Sequence, residues 1–256
     1  MNKKPVKISQ LGIVLFAVLA LVACEGGSGS SSADSSSSDT TGRGGSTARM
    51  TIGGDFLYAI AGSEVQLFDI SAPQAPNPWT KVQVAWDIET LFPYGDYLLI
   101  GAASGVHIMD NRDPASPQYL AQFTHAMARD PVVAHEGYAY VTLRSDGFGL
   151  VNQMDVVDIR DINNPSLVRT INMQGPSGLS VGNEDLYVCD DIAGIKIFDL
   201  TDPENPAVVD SIPDVNCNDV LAERGILYVI TDDSLLQYDY LQMPPVLLSE
   251  IQKEPG

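Results

Sequence analysis

The stretch "IFDLTDPENPAVV", Ile197–Val209, decides the fold. It holds an apolar run, an aspartate, a turn built on two prolines and a second apolar run. Proline cannot donate to a β-ladder and aspartate caps turns with its own side chain, so these residues read as strand, enforced turn, strand. Four more copies are present. Aligned on the aspartate, they read VQLFD ending at Asp69, VHIMD at Asp110, MDVVD at Asp158, IKIFD at Asp199 and LLQYD at Asp239, at intervals of 41, 48, 41 and 40 residues. A proline follows seven residues later at Pro76, Pro117, Pro165 and Pro206, and one residue sooner, at Pro245, in the fifth copy.

Each copy reads as one small sheet. A glycine (Gly54, Gly95, Gly137, Gly182 or Gly225) sits where a hairpin needs positive φ, and a run rich in Tyr, Val, Ile and Leu follows. The pentapeptide alternates apolar and mostly polar residues, which fits a strand with one buried face. A fourth run closes each unit: TKVQVAW, QYLAQF, SLVRTINM, AVVDSI and VLLSEI. Four antiparallel strands recurring about every 40 residues describe a propeller blade, and helical spacing is absent from residues 50–256. The expected fold is therefore all-β: a five-bladed propeller over 50–256, with blades near 50–86, 87–128, 129–174, 175–213 and 214–256. Both ends are in phase, an inner strand near Met50 and an outer one near Ile251. No strand is then exchanged to latch the ring, and the first and last blades meet by side-chain packing alone.

The first 49 residues carry a different message. Three lysines in "MNKKPVK" precede Leu11–Ala23, an apolar run too short to span a bilayer comfortably, which reads as a secretory signal over residues 1–23. "LVAC", Leu21–Cys24, resembles the bacterial lipobox, which implies acylation of Cys24 after cleavage and a membrane anchor there. Residues 24–49 are Gly and Ser with scattered charge, a composition that buries no apolar surface, so a flexible leash reaching about 25 to 30 Å is expected. Glu25 is not the aspartate that resembles an inner-membrane retention signal. The expected address is thus the bacterial envelope, with the outer membrane favoured and its facing side left open.

Charge excludes some partners. Of 14 Lys and Arg and 33 Asp and Glu, residues 50–256 hold nine and thirty. Phosphate backbones need the opposite sign, so nucleic acid is excluded, and acidic glycans and bare anionic lipid are disfavoured. Basic proteins, cations and neutral sugars stay open, and the domain is expected to be monomeric.

The pentapeptides, together with D-x-x-D-P-x-x-P turns complete at Asp110–Pro117 and Asp199–Pro206, resemble the LVIVD-repeat family. The resemblance spans about residues 50–256 and rests on structural motifs. It implies a β-propeller of a kind common on secreted or surface-attached bacterial proteins, and it supplies no catalytic residue. The departures are Ala72 in place of the second aspartate, the shortened fifth turn, and about seven extra residues around RSDGFGLVNQ in the third copy.

No catalytic residues are assigned. "GLSVG", Gly178–Gly182, matches a nucleophile-elbow pattern, but Gly182 aligns with the hairpin glycines, so Ser180 falls on an inner strand with no helix after it. His107, His125 and His135 all precede that serine and show no zinc-ligand spacing; His107 occupies a polar slot where a solvent-facing residue is expected. Cys189 and Cys217 lie toward one face of the propeller and are either bridged or packed as buried thiols. That face also gathers the candidate ligand-binding residues: Asp190, Asp191, Asp232 and Arg144 on loops within blades, and Arg129, Asp130, Asp214, Asn216, Asn218 and Asp219 on crossings between them. Their oxygens either suit a hard cation such as calcium or form a solvated acidic rim. Two functions follow. One is an envelope-anchored recognition module for a protein or neutral glycan. The other is a glycoside hydrolase- or lyase-type enzyme whose likeliest acids are Asp190, Asp214 and Asp219.

Overall fold

In the computed structural model, residues 46–125, 131–144 and 151–254 are described. They form five four-stranded antiparallel sheets, each paired in simple chain order. Blade one is β1–β4 (Met50–Gly53, Phe56–Ala61, Glu64–Asp69, Asn77–Gln83) and blade two is β5–β8 (Ile88–Tyr94, Tyr97–Ala102, Gly105–Asp110, Gln118–Phe123). Blade three is β9–β12 (Val132–His135, Tyr138–Arg144, Asn152–Asp158, Ser166–Asn172). Blade four is β13–β16 (Pro176–Gly182, Asp185–Asp190, Ile195–Asp199, Ala207–Ile212), and blade five is β17–β20 (Asp219–Glu223, Ile226–Ile230, Ser234–Asp239, Val246–Gln252). A single 3-10 turn, Asp191–Ala193, interrupts this strand-and-turn pattern among the described residues. The all-β, five-bladed propeller expected from the repeats is the fold observed.

The repeated aspartate has one job in all five blades. A carboxylate oxygen of Asp69, Asp110, Asp158, Asp199 and Asp239 accepts from the backbone N–H two residues on, at 2.7 to 3.0 Å, and so closes the turn after the third strand. Where the second aspartate is present, its backbone carbonyl accepts from the amide three residues later, and Ala72 does the same for Ala75. The first copy thus keeps its turn without that side chain.

Blades adhere through apolar side chains on both faces. Tyr58 and Leu67 meet Leu98 and Met109 between blades one and two; Leu99 and Ile108 meet Val132 and Val141 between two and three. Tyr140 and Val156 meet Leu186 and Phe198 between three and four; Tyr187 and Ile197 meet Leu227 and Tyr238 between four and five. Two tyrosine hydroxyls extend these contacts. Tyr58 donates to the Pro114 carbonyl and Tyr140 to the Pro203 carbonyl, both at 2.8 Å, each reaching the proline turn of the next blade.

The remaining seam differs from the expectation. No strand is exchanged, as the phase of the ends requires, but no buried cluster joins blade five to blade one among the described residues. Met50 is 61% exposed, whereas its counterparts Leu91, Val132, Leu179 and Val220 are 0 to 1% exposed. Leu57, Phe68, Tyr228 and Leu235 are half-buried at positions whose counterparts in the neighbouring blades are buried. The physical reason lies partly in β19, where Gln237 takes the slot that holds Leu67, Ile108, Val156 and Ile197 elsewhere.

The described contacts also extend upstream of Met50. Ser46 is buried and its hydroxyl accepts from the Leu179 amide at 2.7 Å, while Thr47 Oγ1 donates to Asp219 Oδ2. The Ala48 carbonyl accepts from the Leu91 amide at 2.9 Å. Three residues at the end of the Gly- and Ser-rich stretch therefore reach inner strands of blades two, four and five.

One histidine departs from its expected setting. His107 is buried rather than solvent-facing, with its Nε2 3.0 Å from Ser104 Oγ and its ring 6.1 Å from that of Tyr119. Burial lowers its pKa, because the charged imidazolium is the form that loses water.

Candidate functional site

The inner strands start around a cavity of about 740 Å³ lined by Thr47, Arg49, Glu89, Thr90, Pro131, Arg144, Pro176, Ser177 and Asn218. Every blade, or the segment leading into it, contributes. The position follows from topology: each inner strand begins where the chain crosses from the preceding blade, so the crossings converge on one mouth of the central channel. Arg49 is exposed and Glu89 sits nearby in the lining; both also line an adjoining groove with Trp86 and Asp87. Asp87 holds a left-handed φ of 56°, uncommon for a residue with a Cβ.

The candidate residues have separate fates. Arg144 ends β10 at the cavity, donating to the Gly175 carbonyl at 3.3 Å with its guanidinium 3.9 Å from Asp191. Asn218 lines the cavity and donates to Asp232, as does Asn216, at 2.7 and 3.2 Å. Asp232 is thus held by two amides. Asp214 is exposed with a left-handed φ of 59° and does not line the cavity. Arg129, Asp130 and the lipidation candidate Cys24 lie outside the described residues.

Asp190 serves the fold rather than the mouth. It is fully buried, accepts from the Gln174 and Gly175 amides at 2.7 and 2.9 Å, and pairs with Lys196 at 2.6 Å. A carboxylate so enclosed ties the crossing into blade four to that blade's own hairpin. Asp219 is held differently. Thr47 covers one oxygen, and the other lies against Gly178, where an added Cβ would sit 2.1 Å from it. Burial pushes this carboxyl upward, against hydrogen bonds from Thr47, the Val220 amide and Ser46. Among the described residues no group of three His, Cys, Asp or Glu is arranged to hold a metal ion.

Cys189, on β14, and Cys217, in the crossing before β17, form a disulfide with their Cα atoms 5.3 Å apart. The bridge fixes the crossing that carries Asn218 and Asp219 to β14, the second strand of blade four. Ser177 Oγ donates to the Cys217 carbonyl at 3.3 Å, tying the same crossing to the cavity wall. Ser180 sits on β13 as expected, buried, with its hydroxyl accepting from the Ala222 amide at 2.9 Å.

Sequence reasoning missed Thr47, Arg49, Glu89, Thr90 and Ser177. Their signal was positional: each lies within a few residues of the start of an inner strand, as Asn218 does, and extending the repeat alignment upstream of those strands brings them into register.

The architecture is that of a five-bladed β-propeller with a cavity at one mouth of its channel. The LVIVD repeat model matches residues 127–172, the span that contains blade three of the five. No curated protein matches the sequence. Among solved structures, a protein from Lactobacillus plantarum is similar at 13% identity with a TM-score of 0.64, over 77% of this chain and 67% of its own. AztD from Citrobacter koseri is similar at 12% identity and a TM-score of 0.57, over 78% of this chain and 60% of its own. A structure of the nidogen/laminin complex is similar at 12% identity and a TM-score of 0.55, over 80% of this chain and 76% of the other. Likeness at these identities is one of fold.

Proposed function

We propose that this chain is an envelope-anchored recognition module, held through Cys24 and binding a protein or neutral glycan at the channel mouth. The observation that carries this reading is the roughly 740 Å³ cavity to which all five blades contribute. Its lining offers two guanidiniums, one carboxylate, hydroxyls and an amide, enough convergent polar groups to orient a ligand. The net charge of −19 argues against nucleic acid, and the LVAC sequence supports the anchor. A similar propeller occurs in a complex of two proteins, nidogen and laminin, in keeping with recognition.

The test pairs binding with address. The full chain is displayed on its native envelope and screened against neutral glycans and surface proteins, beside Arg144→Ala and Asn218→Ala variants. A ligand whose affinity falls at least about tenfold in both variants supports the mouth. A ligand that binds both variants as tightly as the parent removes the mouth from the reading, and a Cys24→Ala chain that stays in the membrane removes the anchor.

A further inference from the structure

We infer that the seam between blades five and one is an interface for a second copy of this chain, blade five of one copy packing on blade one of the other. The evidence is internal to the repeat. On the forward side of each sheet, Tyr58, Tyr140 and Tyr187 are 0% exposed because the next blade covers them; Tyr228, in the same slot of blade five, is half-buried, and Ile230 beside it is 43% exposed. The backward side shows the complementary pattern. Leu98, Leu186 and Leu227 are 0 to 1% exposed, while Leu57 of blade one is half-buried and Met50 is largely exposed.

What covers such faces is fixed by the other four seams. Each is filled by the opposite face of a blade, so an occupant of this seam has to present one. The hydrogen bonding points the same way. Tyr58 and Tyr140 donate to the carbonyl four residues after the turn aspartate of the next blade, Pro114 and Pro203. The equivalent acceptor for Tyr228 is the Pro73 carbonyl of blade one; the hydroxyl bonds to a turn carbonyl are made by Tyr58 and Tyr140, and Tyr187 makes none across its closed seam. A second copy carries both a Tyr228 face and a Pro73 face. Head-to-tail pairing therefore meets the demand of each, an asymmetric contact in which unlike surfaces pair. The net charge of −19 opposes the approach, so pairing strengthens as salt screens it.

Met50→Cys and Ile230→Cys place thiols on exposed positions of the two faces, where neither change disturbs a buried contact. Full chains carrying one or the other are co-expressed, a chain carrying both is expressed alone, and each sample is treated in the envelope with a short bis-maleimide, then separated by mass under denaturing conditions. The expected result is a two-chain product from the mixed pair and none from Ile230→Cys alone, reduced about fivefold by adding Tyr228→Phe to the Ile230→Cys chain. A product from Ile230→Cys alone means like faces meet, which overturns head-to-tail pairing. Cross-linking confined to single chains that carry both cysteines means the ring closes on itself and overturns the second copy, as does the absence of any product. Ligand binding at the mouth plays no part in this readout, so the two readings fail separately.

Discussion

The turn aspartates show how much one carboxylate can organise. Asp69, Asp110, Asp158 and Asp199 are all held below the usual carboxylate range by hydrogen bonds from the side chain and then the amide two residues on, Asp110 to about 2. A pKa depressed in the folded state stabilises above the unfolded value, near 3.9, and that stability is lost as pH falls through the folded value. Asp185 and Asp219, pushed up mainly by burial, work the other way: their ionisation opposes folding, and protonation as pH falls relieves that opposition. Melting followed by circular dichroism should therefore hold through about pH 5 and drop between about pH 4 and 2; a flat profile across that lower window would count against the turns. Tyrosines offer a sharper contrast. Tyr140→Phe removes the donor to the partly buried Pro203 carbonyl and should cost about 1 to 2 kcal/mol in urea unfolding, whereas Tyr228→Phe, at the open seam, should change dilute-solution stability by less than about 0.5 kcal/mol.

Strands obey a rule that the residue pattern hides. In every blade the outer pairing slips next to the residue before the turn aspartate: at Gln66/Phe68, Ile108/Met109, Val156/Val157, Ile197/Phe198 and Gln237/Tyr238. Such bulges sharpen twist, and their recurrence at one slot gives the five sheets a common shape. The crossing before β17 depends on a covalent tie. Reducing Cys189–Cys217, which closes a 28-residue span, should cost about 3 kcal/mol, read as a lower melting temperature under reductant; an unchanged temperature would show the crossing held by packing alone. Gly178→Ala should destabilise blade four against blade five, since its Cβ would collide with the Asp219 carboxylate. Blades were legible in the sequence because Pro, Asp and Gly punctuate strands by backbone chemistry that needs no neighbours. The bulges were not, since slipping one outer residue barely alters an alternation that is exposed on both sides. His107 misleads for a related reason: it shares a face of β7 with Met109, which packs toward blade one, and its ring lies against Tyr119 on the next strand.

For the molecule as a whole, the least legible part is its beginning. Ser46 and Thr47 read as the last of a hydrophilic leash, since a hydroxyl that bonds water and one that bonds a buried amide look alike in composition. The cavity residues were half legible: the crossings could be counted, but which side chains turn inward depends on how five sheets are arranged. Ser46→Ala in the full chain should cost about 1 to 3 kcal/mol by leaving the Leu179 amide unpaired; a neutral result would return these residues to the leash.

If the proposed acyl tether is pulled, as when a bulky partner tugs at the envelope, the first of the described residues to take the strain is Ser46. Its grip on Leu179, and that of Thr47 on Asp219, would shunt the load to the hub strands of blades four and five before β1 could be peeled from its sheet. Under that proposal the load would enter at the axle rather than at the rim.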